Sequence, residues 1–476
     1  MRLDDRPYSR NMANQKVLLV QPNFRQKGKH ARFSISPPLG LAYIAGVLEK
    51  NGIPVEILDA NVLNLTADDV VRQAVAAKSA IVGVGILISG YKYSAEIAQK
   101  LPKNILSVAG GAYASGAPEQ LLKDGFNISV KGPGERPMLE IVLGKDFEKI
   151  PGIYYWKDKK IVHNAPEPFN SQAISLPLPA RHLLINNGVN KPYRLEGTMY
   201  FPWSPIFTSI GCPYQCYWCS KQVFERFVPR PAEDVVAEIC QLVKKYKVKE
   251  IDVYDDCFNA NLARAEKILD SIIEKKLNIK LRFVNGIRAN MVNRPFMAKM
   301  KKAGCIEVAY GIESGDQEVL DKIPKIILLE EIRKAVEYSK EAGIFTVGFF
   351  ILGLRGDNEK TMQKTIDFAK EIGVDAAFFS ILTPYPGTPL WQLIEKEGKF
   401  LINDFDDLHH SNGKMMFEHP DFPNPALVEK MYKKAHRDFY FAPKYLFKRL
   451  IALRNWRELA LSIRGLSNII YTQTRK

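Results

Sequence analysis

From Lys16 to about Ile150 the chain alternates short apolar runs with longer stretches in which apolar residues recur at helical spacing. Parallel strands joined by helices give this pattern. The apolar runs predict strands at Val17–Gln21, Val55–Asp59, Ile81–Ile86, Ile105–Ala109 and Ile128–Val130. We therefore predict a Rossmann-like, doubly wound domain over residues 16–150, with ligands at the carboxyl ends of its strands.

A second alternation occupies residues 206–395, where a strand pattern is followed by a helix pattern six times. The predicted strands are Ile206–Ile210, Glu250–Tyr254, Leu281–Asn285, Ile306–Ile312, Phe345–Leu352 and Ala376–Leu382. Such apolar strands indicate burial on both faces, as in a barrel with helices outside. We predict an α/β protein whose second domain is a partial (β/α)6 barrel. Residues 151–205, rich in Pro, Asn and aromatics, are predicted to be an irregular connector.

Three cysteines lie within eight residues of one another, at Cys212, Cys216 and Cys219. Their C-x-x-x-C-x-x-C spacing supplies three thiolates, whereas a closed zinc or iron-sulfur site has four protein ligands. The remaining cysteines are scattered and are interpreted as small buried hydrophobic residues: Cys240, Cys257 and Cys305. Spacing alone leaves a loop zinc site or a chance cluster open.

The 476 residues carry a formal net charge of +15, and much of it lies at the C-terminal end. Residues 396–476 are predicted to be a basic helical region. From Lys430 onward the sequence has twelve Lys or Arg residues and only two acidic ones, Asp438 and Glu458. Aromatic residues accompany them, so this region predicts either a helix docked on its own domain or one lying on an anionic membrane. It lacks a nucleic-acid recognition motif.

The first residues are charged and indicate no signal peptide, and the longest plainly apolar runs, of 13 residues, are too short to span a bilayer. We expect a cytoplasmic protein, with a peripheral contact at the inner membrane face as a further expectation.

The chain resembles the class B radical S-adenosylmethionine (SAM) proteins that carry an N-terminal cobalamin-binding domain. This group includes proteins similar to the anaerobic magnesium-protoporphyrin ester cyclase and cobalamin-dependent methylases. The resemblance rests on the run T-S-I-G-C-P-Y-Q-C-Y-W-C-S and on the segments that follow the predicted strands of both domains. It implies that the three cysteines hold three irons of a 4Fe-4S cluster, with Trp218 beside them, and that SAM ligates the fourth iron.

In the barrel, the resemblance implies a SAM site at the strand ends. Asp255 and Asp256 would accept hydrogen bonds from the methionyl ammonium group, Arg288 would face the carboxylate, and Glu313 would bind the ribose hydroxyls. Ser314 and Gly353 belong to the same segments. Each of these residues alone could instead be a strand-end cap or part of a surface ion pair. One departure is that relatives usually read G-L-P-G-E after the fifth strand, where this chain has G-L-R-G-D.

In the first domain, the resemblance implies a cobalamin site made by segments that follow the strands. Its residues are Pro37, Gly40, Gly110, Gly111, Tyr113, Gly132, Gly134 and Glu135. Tyr113 stands where many relatives have histidine, and no D-x-H-x-x-G motif is present. The resemblance therefore implies a cobalamin without a histidine axial ligand. A Rossmann-like domain without cofactor is the alternative.

Together these features imply an enzyme that cleaves SAM reductively and abstracts hydrogen from an unactivated carbon, with cobalamin-dependent methyl transfer or cyclisation as the outcome. Two alternatives stay open: a radical SAM enzyme whose first domain binds substrate instead of cobalamin, and a non-enzymatic metal-binding module. The expected partners are a small-molecule or lipid substrate and an external electron donor such as flavodoxin or ferredoxin. No nucleic acid is expected.

Overall fold

The computed structural model describes residues 16–24, 35–166, 177–195, 197–221, 223–224, 226–402, 408 and 413–452. Its first sheet has seven strands in the order β2-β1-β3-β4-β5-β6-β7. They are β1 Val17–Gln21, β2 Val55–Asp59, β3 Ile81–Gly85, β4 Leu106–Gly110, β5 Ile128–Val130, β6 Ile153–Lys157 and β7 Lys160–His163. The first five are parallel and the last two pair antiparallel. All five strands predicted for this part of the chain are present, within one residue at their ends.

The last two strands correct the prediction of an irregular connector over residues 151–205. Residues 153–163 form a hairpin that extends the first sheet through pairing of β6 with β5. Ile153 and Tyr155 are buried, whereas Tyr154 and Trp156, at the alternate positions, are half-buried. This period of two is typical of a strand with one solvated face, and it was overlooked because prolines and asparagines surround it.

Helices cover both faces of this sheet, and each face has its own apolar core. They are α1 Leu39–Lys50, α2 Ala60–Leu63, α3 Ala67–Ala76, α4 Tyr91–Lys100, α5 Ala112–Gly116, α6 Pro118–Lys123 and α7 Glu135–Val142.

The second sheet has six parallel strands in the order β15-β14-β13-β12-β11-β8. They are β8 Trp203–Ile206, β11 Glu250–Val253, β12 Lys280–Ile287, β13 Cys305–Glu313, β14 Phe345–Leu352 and β15 Ala376–Ile381, and two short strands, β9 Ser209–Ile210 and β10 Val228–Pro229, pair separately. The strand predicted at Ile206–Ile210 was therefore placed too late. The sheet pairing ends at Ile206, and the amide of Thr208 donates instead to the Asp255 carboxylate.

Helices cover the outer face of this curved sheet, and polar residues at several of their N-termini accept backbone hydrogen bonds. The helices are α8 Ala232–Tyr246, α9 Leu262–Glu274, α10 Arg294–Lys302, α11 Gln317–Asp321, α12 Leu329–Glu341, α13 Glu359–Ile372 and α14 Pro389–Glu397. Because β8 and β15 are sheet edges that do not pair with each other, the barrel is open.

The C-terminal region adds a small hairpin, β16 Lys399–Phe400 with β17 Phe417–Glu418, and the helices α15 Pro425–Tyr440 and α16 Pro443–Ala452. The hydroxyl of Tyr440 binds the backbone of Ala377 in β15, accepting from its amide at 3.2 Å and donating to its carbonyl at 2.8 Å. Helix α15 is therefore docked on the barrel, which is the first of the two arrangements predicted for the basic C-terminal region. Trp456 and Leu459 of the same aromatic region lie outside the described residues.

A buried ion-pair network joins the two domains. Glu238 of α8 accepts hydrogen bonds from Arg181 at 3.0 Å and from Arg230 at 2.7 Å, and all three are nearly inaccessible to solvent. Arg230 also donates to the hydroxyl of Tyr43 in α1 of the first domain, at 3.2 Å. Buried charges paired in this way fix the relative orientation of the elements that carry them, because separating them would leave unpaired charge.

A second network fills the lower interior of the barrel. Asp252 accepts hydrogen bonds from the indole of Trp203 at 2.8 Å and from Arg282 at 3.4 Å, and Arg282 also donates to Glu307 at 2.9 Å. Burial raises the pKa of the Asp252 carboxyl to about 7. The charged form of this group is therefore disfavoured in the folded chain.

Among the described residues, no helix combines the length and the apolar character needed to cross a membrane.

The raised pKa of Asp252 predicts a pH-dependent stability. The folded chain binds this proton more tightly than the unfolded chain does, so stability is lost as the pH rises from about 4 to about 7. Asp252→Asn should not lose stability in this way, because its amide does not titrate over this pH range. We expect its melting temperature, relative to that of the natural chain, to improve between pH 5 and pH 8, by an amount equivalent to about 2 kcal/mol. Asp321→Asn, at an exposed position, is the control. Parallel melting profiles of Asp252→Asn and the natural chain would contradict the assignment.

Candidate functional site

The cysteine loop leaves the barrel at the carboxyl end of β8, and one buried carboxylate fixes its start. Asp255, 2 % exposed, accepts hydrogen bonds from the Thr208 amide at 2.6 Å, from the Thr208 hydroxyl and from the Ser209 hydroxyl at 2.5 Å. Gly211 then adopts φ +71°, and its Cα passes so close to the Arg226 carbonyl that a side chain would collide with it. These contacts direct the chain out of the sheet towards Cys212.

Two tyrosines of the loop attach it to the neighbouring strand ends. The ring of Tyr214 lies 3.6 Å from the guanidinium carbon of Arg288, a cation-π contact. The carbonyl of Tyr217 accepts from the Leu390 amide at 3.0 Å, and its hydroxyl accepts from the Arg355 amide at 3.3 Å. The loop is therefore held by segments that follow the third, fifth and sixth barrel strands. Sequence reasoning missed Tyr214 and Tyr217, because nothing in the spacing distinguishes them from other loop aromatics.

The three thiols differ in their surroundings. A hydrogen bond from the Cys257 thiol lowers the pKa of Cys212 to about 7, whereas burial raises the pKa of Cys216. Cys219 is exposed. Cys257 is buried as predicted, but its contact with Cys212 was not foreseen; its position directly after two aspartates was the available signal.

In the part of the chain that the structure describes, no three His, Cys, Asp or Glu side chains converge on a point where they could hold a single metal ion. The three cysteines are thus not arranged around one ion. Three soft thiolates on one loop, whose sequence has no further Cys or His, suit an iron-sulfur cluster with an open corner.

Of the carboxylates predicted to bind the methionyl ammonium group, Asp255 does not fit that role. Its oxygens are already bonded to Thr208 and Ser209 inside the protein, so it anchors the loop instead. Asp256, in contrast, has an exposed side chain that accepts a hydrogen bond from the Gly211 backbone.

Arg288 and Glu313 both have partners in the segment after α11. Arg288 donates to the Asn290 side chain at 2.9 Å and to the Ile326 carbonyl at 2.9 Å. Glu313 pairs with Lys325, whose ammonium group also contacts the Gly311 carbonyl. Glu313 has φ +66°, in the left-handed region that non-glycine residues rarely adopt. Such strain at a strand end is typical of functional sites.

The other predicted barrel residues have mainly backbone roles. Ser314 is fully buried, accepts from the Asp316 amide at 3.1 Å and lies 3.2 Å from the Thr365 hydroxyl. Gly353, at φ +87°, donates its amide to Asp357 at 3.1 Å. Burial raises the pKa of Asp357 to about 6. Trp218 stacks edge-on against the Tyr217 ring at 4.8 Å.

In the first domain, open space lies above the strand ends where the cobalamin site is predicted. Side chains added at Gly40 or Gly110 would meet no atom within 4 Å. Gly111, at φ +94°, turns the chain tightly against Ile86, and the amide of Gly132 donates to the Ser115 hydroxyl at 3.0 Å. Such an uncovered backbone edge fits a large planar cofactor.

The remaining residues of the predicted cobalamin site lie around the backbone edge at Gly110 and Gly111 or beneath it. Pro37 accepts from the Leu39 amide at 2.8 Å, just before α1, while Gly134 and Glu135 begin α7. Tyr113 is buried, with its ring 4.6 Å from that of Tyr91. Its side chain therefore lies within the core on the α4 side of the sheet.

The strand ends of the two domains face each other. The hydroxyl groups of Ser36, beside Pro37, and Tyr254, beside Asp255, are hydrogen bonded. Gly116 of α5 lies so close to the Pro386 carbonyl, in the segment after the sixth barrel strand, that no side chain would fit. The cysteine loop and the open edge of the first sheet therefore border the same interdomain space. Sequence reasoning missed Tyr254 as an interdomain contact.

Comparison with known proteins gives two family matches. The radical SAM superfamily model matches residues 206–369, and the B12 binding domain model matches residues 31–142. An uncharacterized methyltransferase of Pyrococcus horikoshii is 30% identical over 467 residues, covering 96% of this chain and 99% of that protein. The anaerobic magnesium-protoporphyrin IX monomethyl ester cyclase of Rubrivivax gelatinosus is 27% identical, covering 82% of this chain and 72% of its own.

Two solved structures share the fold. The cobalamin-dependent SAM radical enzyme OxsB, with aqua-cobalamin and SAM bound, has a TM-score of 0.73 at 16% identity, covering 97% of this chain and 72% of its own. The radical SAM methyltransferase TsrM of Kitasatospora setae, with cobalamin and a [4Fe-4S] cluster bound, has a TM-score of 0.66 at 21% identity, covering 80% of this chain and 78% of its own.

The anchoring role of Asp255 can be separated from cofactor binding. Asp255→Ala leaves three buried donors without their acceptor, so we expect the free energy of unfolding to fall by about 3 kcal/mol, and iron uptake on anaerobic reconstitution to fall with it. Asp256→Ala, at the exposed neighbouring position, should change stability by about 0.5 kcal/mol or less. Urea denaturation and iron analysis measure both effects. Equal stability of the two variants would show that Asp255 is not an anchor.

Proposed function

Because the chain belongs to the radical SAM superfamily and carries a B12 binding domain, we propose that it methylates an unactivated carbon of its substrate in a cobalamin-dependent reaction. The observation that carries this proposal is the shared space between the domains. The three-cysteine loop borders it on the barrel side, and the open edge at Gly110 borders it on the other.

Cys212, Cys216 and Cys219 would hold the [4Fe-4S] cluster, and the backbone edge at Gly40, Gly110 and Gly111 would hold cobalamin. When bound, the cluster and SAM supply hydrogen-atom abstraction from carbon, and cobalamin supplies the methyl group. The Cys257 thiol lowers the pKa of Cys212, which favours the thiolate form that binds iron, whereas burial raises the pKa of Cys216. The buried Tyr113 leaves cobalamin without a protein imidazole at that position.

The polar strand-end residues would position SAM. Asp256 is available to the methionyl ammonium group, since its carboxylate is exposed beside the cysteine loop. Glu313 would exchange its pairing with Lys325 for the ribose hydroxyls, which leaves the Lys325 ammonium free to meet the methionyl carboxylate. The domain contacts at Tyr254 and Gly116 would limit the access of water to the site. A carbon radical needs this exclusion because it would otherwise undergo side reactions.

Cyclisation is the second candidate outcome, favoured by the likeness to the ester cyclase of Rubrivivax gelatinosus. Use of the first domain for substrate alone is less well supported, because a B12 binding domain model matches it. We further propose that an external reductant such as flavodoxin or ferredoxin supplies the electron. Membrane contact through the basic C-terminal region stays a proposal.

Reductive SAM cleavage tests the barrel part of this function. After anaerobic reconstitution with iron and sulfide, the chain should form 5'-deoxyadenosine from SAM and dithionite. Cys212→Ala, Cys216→Ala and Cys219→Ala should each lose this activity together with most of the iron, because each removes a cluster ligand. Cys240→Ala, on α8, is the matched control and should keep both. Zinc without labile sulfide in the purified protein would contradict the proposal.

Cobalamin binding can be tested without turnover. Gly110→Leu adds a side chain whose Cβ meets no atom within 4 Å, and this side chain would occupy the edge proposed for the cofactor. We expect the natural chain to retain hydroxocobalamin on gel filtration, as seen in its visible spectrum. Gly110→Leu should retain about tenfold less at an unchanged melting temperature. Equal retention by both proteins would place the cofactor elsewhere, and no retention by the natural chain would contradict cobalamin binding.

A further inference from the structure

The inner face of the last two barrel strands carries accessible aromatic side chains. Phe349 of β14 pairs in register with Phe378 of β15, and their ring centroids are 5.9 Å apart. Phe378 is 49 % exposed and Phe349 is half-buried. The adjacent residues of the strand, Ala377 and Phe379, are buried. Phenylalanine is usually buried too, so the high exposure of Phe378 in the middle of a strand is unusual.

Strand alternation assigns these rings to the barrel interior. Ala377 and Phe379, on either side of Phe378, are buried in the core that contains the outer helices. The ring of Phe379 contacts Phe439 of α15 at 6.2 Å. Since successive side chains of a strand point to opposite faces, Phe378 points away from the helices and into the barrel.

The lower interior, beneath the first four strands, offers little to a ligand. There Trp203, Asp252, Arg282 and Glu307 are bonded to one another and three of them are almost inaccessible. The aromatic part of the interior is more open, and it belongs to β14 and to β15, the last strand of the sheet.

The aromatic pair is continuous with the proposed SAM site. Phe349 lies in register with Gly311, whose carbonyl binds Lys325, and Lys325 pairs with Glu313 at the end of the same strand. Two residues along a strand span about 6.6 Å, so the rings lie one side-chain layer beneath Glu313. A molecule with one end on the rings would therefore have its other end near Glu313 and Lys325.

We infer that Phe349 and Phe378 form a binding wall for an apolar ring or hydrocarbon portion of the substrate, beside the proposed SAM site. The inference rests on the proposed function for the identity of the site, and it adds the substrate class. The wall presents aromatic surface and the small hydroxyl of Ser380, one layer further along β15. It therefore selects an apolar group and not a charged one.

Binding of a neutral ring probe tests the wall. We expect 1-aminoanthracene, followed by its fluorescence, to bind the full chain saturably. Phe378→Ser should weaken this binding about tenfold, the value expected for loss of one aromatic contact, and Phe349→Ser should act in the same direction. Leu143→Ser removes a similarly exposed apolar side chain, 45 % exposed, from the first domain and should leave binding unchanged. Melting curves check that each variant is folded.

SAM binding, measured by calorimetry on the reconstituted protein, distinguishes the substrate from the adenine of SAM. Unchanged SAM affinity in Phe378→Ser supports the inference, whereas a loss as large as that of the probe overturns it, because the rings would then hold adenine. Absence of saturable probe binding to the natural chain, or equal binding by Phe378→Ser, also overturns it. Failure to form 5'-deoxyadenosine with intact probe binding would instead count against the proposed function alone.

Discussion

The arrangement of this site depends on one buried carboxylate. Asp255 takes the backbone and side-chain hydrogen bonds of Thr208 and Ser209, and so ends the pairing of the first barrel strand and sends the chain into the cysteine loop. A carboxylate in such surroundings is stable only while its donors remain in place, because burial alone would make its charge unfavourable. Asp255 therefore holds the start of the loop in place, and the loop residues Thr208 and Ser209 in turn stabilise the buried carboxylate.

Paired charges perform the corresponding task between the domains. Glu238 joins Arg181 of the connector to Arg230 of the barrel, and Arg230 reaches Tyr43 of the first domain. Ser36 and Tyr254 form a separate hydrogen bond between the domains. The interdomain space is thus fixed on two sides, which suits chemistry that needs a cofactor on each wall and little water between them.

The lower barrel interior is polar, and the part of β14 and β15 nearer the strand ends presents aromatic rings. β15 is the last strand of the open sheet, and α15 lies against it through the Tyr440 hydroxyl. With six strands the barrel stays open, and the aromatic rings remain accessible next to the proposed SAM site. The proposed substrate wall therefore lies next to strand ends that carry polar groups.

The sequence alone determined the order of strands and helices and the cysteine motif, because apolar periodicity and thiol spacing are local properties of the chain. It also determined most strand ends to within one or two residues. Only the tertiary structure decided that Asp255 anchors the loop while Asp256 stays exposed, that Cys257 contacts Cys212, and that Tyr113 is buried. The physical reason is that a side chain's role depends on which distant groups share its surroundings, and neither spacing nor periodicity specifies those neighbours.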